Sequence, residues 1–183
     1  MGYDIALSKA WSEFENLAKD KALSVRFLAD EYNIDLANKQ ILSLSCNVPT
    51  KEYLSIIILH YLTKKIEGLP VVSGEWIDFR QLDGGQGYYP NFRKRVIESI
   101  KRKYGSNPDT LLNLSERFNV KRVQLADVSI VVEVFDNVPI LIELWKGDEE
   151  FGPEANVLFD KSIKDILCTE DIVVLAGFVA SNI

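Results

Sequence analysis

A chain of 183 residues is of single-domain size and long enough to bury roughly two-thirds of its unfolded surface. Its 47% hydrophobic and 26% charged content is that of an ordinary globular protein. The longest apolar run, Tyr53 to Leu62, is interrupted by Ser55 and His60 and reaches about half a bilayer span, which excludes a membrane helix there. Net charge is −6 but uneven. From Arg93 to Lys103 six basic residues face Glu98 alone, giving +5; from Val123 onward twelve acids face Lys146, Lys161 and Lys164, giving −9. A basic patch thus sits on an acidic body, a statement about partners rather than fold.

Met1-Gly-Tyr-Asp-Ile shows no basic stretch followed by an apolar core, so the expected compartment is the cytoplasm. Asp4 to Asn33 reads as helix in two pieces, with Trp11, Phe14, Leu17 and Ala18 on one face and Glu13, Glu15 and Lys19 opposite. Tyr32 to Cys46 reads as a short hairpin turning at Asn38-Lys39. Thr50 is expected to cap a central helix that runs to Lys65 and ends near Gly68. Trp76 to Phe79 is a short strand entering a glycine-rich loop, Leu82 to Pro90. A helix follows from Asn91 to Tyr104, where Phe92, Val96, Ile100 and Tyr104 repeat every four residues. Asn107-Pro108 opens another helix. Val128–Phe135 and Val138–Trp145 are strands around an Asp136-Asn137 turn, Asn156–Phe159 is a third, and Thr169 begins the last helix. No repeat or linker divides the chain. The order predicts one α+β domain spanning 1–183: a helical N-terminal half packed on a mainly antiparallel sheet, closed by a C-terminal helix.

Familiar chemistry is missing. Cys46 and Cys168 lie in separate elements and read as small buried hydrophobes. His60 alone cannot found a histidine metal cluster, and it reads as a polar residue at the edge of a core helix. There is no Walker loop, EF-hand or zinc-finger spacing, and Gly84, Gly85 and Gly87 do not fit a dinucleotide fingerprint. No metal site is expected, and the sequence leaves any cofactor unknown.

Two segments mix aromatics, glycines and charges beyond what helix or strand requires: Trp76 to Pro90 and Trp145 to Asp160. In the first, glycines before a helix start, with Arg80 and Arg93 nearby, could hold an anion. In the second, Asp148, Glu149 and Glu150 need solvent, a cation or arginines to stay ionised together. The expected binding cleft therefore comprises Trp76, Arg80, Gly84, Gly85, Tyr89, Arg93, Trp145, Asp148, Glu149, Glu150, Asn156 and Asp160. Three readings stay open. One is a binding or accessory protein with a small ligand or protein partner. Another is an enzyme using a carboxylate of Asp148–Glu150 with Arg80 on an anionic substrate. The third is an interaction module using the basic helix Arg93–Lys103. Overall acidity disfavours nucleic acid.

Both segments, together with Ile58-Leu59-His60-Tyr61-Leu62, resemble the uncharacterised microbial family called domain of unknown function 3786, over nearly the whole chain. The resemblance implies an anaerobic microbial source. Some members carry a cysteine-rich iron–sulfur region, but the two cysteines here are too few for a four-cysteine cluster. It transfers no catalytic residue.

Overall fold

The computed structural model describes residues 3–18 and 23–183. The first helix, α1 (Asp4–Ala18), buries Ala10, Trp11, Phe14 and Ala18. The expected second helical piece is not formed. Leu23, Val25 and Phe27 alternate in strand β1 (Leu23–Phe27), which turns at Leu28 (φ 53°) into β2 (Asp30–Asp35). The backbone N–H of Leu28 donates to Val134 O, 2.8 Å away, so a long-range contact clips this turn in place and overrides local helix propensity. Lys19, expected on the polar face of α1, lies outside the described residues. The hairpin anticipated from Tyr32 is the second half of this three-stranded meander, closed by β3 (Gln40–Ser43).

Helix α2 (Glu52–Glu67) is buried on almost all sides, with Ile58, Leu59 and Tyr61 at 0% exposure between α1 and the C-terminal helix. Its N-cap is Lys51, not Thr50, whose hydroxyl lies 2.5 Å from that of Ser55. Gly68 ends it at φ 119°, a conformation L-residues rarely adopt.

Strand β4 (Trp76–Asp78) leads into a short 3₁₀ turn and then, at Gly85, directly into helix. The expected loop to Pro90 is therefore helix α3 (Gly85–Phe92), continued by a π turn (Arg93–Ile97) and α4 (Glu98–Tyr104). The four-residue repeat explains the π turn. An α-helix turns every 3.6 residues, so residues four apart drift round its surface, and one wider turn restores the row. Phe92, Val96, Ile100 and Tyr104 are accordingly all buried. Pro108–Glu116 forms 3₁₀ rather than α-helix, without a side-chain cap from Asn107.

The main sheet is antiparallel, ordered β4-β8-β7-β6-β5, from β5 (Val120–Val123), β6 (Val128–Phe135), β7 (Val138–Trp145) and β8 (Glu154–Asp160). Asn137 takes φ 62° in the β6–β7 turn, a left-handed conformation that asparagine tolerates. Helix α5 (Thr169–Asn182) ends the chain. One contiguous core joins α1, α2, α5, the α3–α4 stretch and one face of the main sheet. Among the described residues no helix is long and apolar enough to cross a membrane.

Candidate functional site

The two motif segments meet through backbone pairing. Strand β4 pairs antiparallel with β8, placing Trp76 opposite Asp160 and Asp78 opposite Leu158. Alternation then sorts the side chains. Ile130, Ile142 and Val157 share a row on the core face, as do Val132, Ile140, Phe159 and Ile77. The outer face carries Val131, Leu141, Leu158 and Asp78 in one row and Ser129, Glu143 and Asn156 in the next, with Trp76 and Trp145 towards its two ends. Leu141 is fully buried yet stands outside the main core cluster, shielded among these neighbours.

Glu143 is the unusual member. It is 8% exposed, and its carboxylate meets one amide, Asn156 Nδ2, at a long 3.4 Å. No lysine or arginine pairs with it among the described residues. Burial pushes its carboxyl above the ordinary range, and the Asn156 contact offsets this only in part. Two positions along β7, Trp145 is 37% exposed. The sequence carried a signal for Glu143: it is the single charge in the apolar run Val138–Trp145.

The charges expected to face one another are committed locally. Arg80 forks onto Asp78, with Nε 2.7 Å from Oδ1 and Nη2 3.1 Å from Oδ2, and its guanidinium lies 4.6 Å from the Tyr89 ring centre. Burial opposes the Asp78 charge, but the Arg80 side chain and backbone N–H outweigh it and hold the carboxyl below the usual range. Arg93 pairs with Glu98 at 3.2 Å. Asp148 caps its own turn, accepting from the N–H groups of Phe151 (2.7 Å) and Glu150 (2.9 Å), which lower its pKa. Glu149 and Glu150 are exposed and make no ion pair among the described residues. Asp78 is level with Leu158, and Trp145 with Glu154; the four residue steps between them along β8 span about 13 Å, so Arg80 and the Asp148 turn do not pair. The second segment meets the basic helix instead, through Lys101 Nζ–Glu154 Oε1 at 3.1 Å and Gly105 against Pro153.

Asp160 is a clasp. At 1% exposure it accepts from Ser73 N (3.0 Å), Ser73 Oγ (2.9 Å), Gly74 N (2.7 Å) and Ser162 N (3.0 Å). Burial works against its charge, yet these bonds together hold its carboxyl below the ordinary value. Gly84 caps α3 at φ 73°, and the Asp83 carbonyl accepts from Thr169 Oγ1 at 2.8 Å. The helix start expected at Asn91 therefore lies at Gly85, seated against α5.

Cys46 and Cys168 are exposed, contrary to their expected burial, because both stand where the chain leaves one element for the next. Desolvation of the sulfur and the neighbouring Asp171 and Glu170 carboxylates push the Cys168 thiol up to about 11, away from nucleophilic character. His60 is paired with an acid at the start of the last helix, a contact the sequence does not show: its Nδ1 lies 2.7 Å from Asp171 Oδ2 on α5. That hydrogen bond outweighs burial and raises the imidazole pKa above 6.5. A raised folded pKa gives stability that is complete below about pH 6.5 and is lost as pH rises through the folded value. His60→Asn should therefore flatten the pH dependence of Tm above pH 6.5; an unchanged profile would mean the pair contributes nothing. Among the described residues no three His, Cys, Asp or Glu gather as metal ligands.

A family model described as Domain of unknown function (DUF3786) matches residues 12–182, nearly the whole chain. No curated protein and no solved structure matches.

Proposed function

We propose that this chain, which belongs to the domain of unknown function 3786 family, is a binding protein whose site is the outer face of the main sheet, where both motif segments contribute. Trp76 and Asn156 come from the paired strands β4 and β8, Trp145 from the end of β7, and Glu143 lies between them. The observation that carries this reading is Glu143: a nearly buried carboxylate with one long hydrogen bond has unused acceptor capacity. The partner that fits is a small cation, an ammonium or guanidinium that ionises Glu143 and lies against the Trp145 ring. An overall charge of −6 favours its approach.

Titration of intrinsic tryptophan fluorescence with agmatine and spermidine tests the reading. Saturable quenching in the wild type, lost in Glu143→Gln, is expected; binding that Glu143→Gln leaves unchanged would sink it. The same substitution should raise folding stability near neutral pH, because a carboxyl with a raised folded pKa destabilises the fold once pH exceeds its unfolded value. A gain in stability with a loss of binding separates a site residue from a structural one.

The catalytic reading has less support where it was first located. Backbone donors satisfy Asp148, and Arg80 is committed to Asp78. Glu143 is the carboxyl with the raised pKa that a general base uses, so any proton transfer falls to it.

A further inference from the structure

On the far side of the core, a hollow of about 340 Å³ opens between α2, α5 and the π turn, within the size range of small-molecule sites. Tyr3, Tyr53 and Phe178 form its walls, with ring centres 6.3 Å apart for Tyr3–Tyr53 and 6.5 Å for Tyr53–Phe178. Gly177 lies along its floor, and a Cβ built there meets nothing within 4 Å. Glycine inside a helix costs stability relative to alanine, so leaving this space open has no folding benefit.

The polar groups here are one-sided. Arg95, carried by the π turn that packs on α5, lines the hollow and has no carboxylate partner among the described residues. An adjoining hollow of about 310 Å³ shares Tyr53, Phe178 and Ser181 and adds Lys51, likewise without an ion pair among the described residues. Among the described residues no carboxylate lines either hollow. On a chain with 27 acidic and 21 basic residues, an aromatic trough bordered by two unpaired cations and no acid is selective for negative charge. A π turn set at such a trough matches where these bulges recur in functional sites.

We infer that this trough is a second binding site, taking a small amphiphilic anion: a carboxylate or phosphate on a planar apolar body, the anion forked by Arg95 and the body lying against Tyr53 and Phe178 above Gly177. This site is independent of the sheet face, and its ligand has the opposite charge.

Backbone amide shifts from NMR titrations with 2-naphthoate and 2-naphthyl phosphate test it, with neutral 2-naphthamide as control. Shifts should gather at Gly177, Phe178 and Ser181, and the neutral analogue should bind about tenfold or more weakly. The stronger of the two anions identifies the head group as carboxylate or phosphate. Arg95→Gln should weaken anion binding about tenfold, a loss larger than for Lys94→Gln on the same helix. Gly177→Leu should fill the hollow and abolish binding, and Gly177→Ala should melt no lower than wild type, since a Cβ there meets nothing within 4 Å. Equal affinity for naphthamide, shifts centred elsewhere, or undiminished binding by Arg95→Gln and Gly177→Leu would each overturn the site.

Discussion

Asp160→Ala is expected to cost about 3–5 kcal/mol of folding stability and to lower Tm by about 10 °C. The carboxylate ties three pieces of chain, namely the loop at Ser73-Gly74, the end of β8 and the turn at Ser162. Removing the carboxylate, which is itself buried, leaves the N–H groups of Ser73, Gly74 and Ser162 without their acceptor, and that of Ser162 is buried as well. Asp160→Asn should fall between, at about 2 kcal/mol: Oδ1, which accepts from Ser73 and Ser162, has an amide oxygen in its place, while the NH₂ meets the Gly74 N–H donor to donor. The pH dependence has a definite sign. A lowered folded pKa gives stability that is present above the unfolded value of 3.8 and is lost as pH falls through the folded one. Urea denaturation at pH 7 and pH 3 measures both effects. A loss below about 1 kcal/mol at pH 7 would mean that the clasp is not intact in solution.

Gly85→Ala is expected to cost about 3 kcal/mol or more, although alanine is the better helix former. A Cβ at position 85 would stand 2.1 Å from the Phe79 carbonyl oxygen, 3.1 Å from its carbon and 3.3 Å from Arg80 Cα. All three are backbone atoms, so no side chain can rotate away. Relief requires the 3₁₀ turn and α3 to separate, and Phe79 is fully buried and stacked on Phe92 with ring centres 4.2 Å apart. Gly177, where the same addition meets nothing, is the natural control. Should Gly85→Ala unfold within about 1 kcal/mol of wild type, the junction cannot be as tight as described.

This glycine shows why parts of the fold were legible and others not. A cluster of Gly84, Gly85 and Gly87 reads as loop because glycine weakens helices. Here Gly85 opens a helix, and the carbonyl of Phe79 in the preceding 3₁₀ turn leaves no room for anything larger. The β6–β7 hairpin was legible because its determinants are local: two β-branched runs and an Asp-Asn turn. Strand β1 was not, since Leu23–Phe27 is held by pairing with β2 and by the Leu28–Val134 contact, neither visible in a window of sequence. The charges followed the same logic. Arg80 took the carboxylate two residues back, Arg93 the one five residues on, and Asp148 the amides two and three residues on. Short loops cost little entropy to close, which favours these three local pairings, whereas Lys101 reaches Glu154 across the fold. The outer-face site was half visible: Trp76, Trp145 and Asn156 were named from composition, while Glu143 was hidden inside a strand that otherwise reads as core.

The pairing of β4 with β8 also has a consequence for how the chain is made. Asp78 lies opposite Leu158, 80 residues further along. At translation rates of about 5–20 residues per second, β4 leaves the ribosome about 4–16 s before its partner strand exists. Until then Trp76, Ile77 and Phe79 have no sheet to lie on, and the Ser73-Gly74 amides have no Asp160. The β6–β7 hairpin, by contrast, has both strands within a few residues of each other. The first motif segment is therefore synthesised early and seated late, and a chain stopped short of Asp160 would carry it undocked.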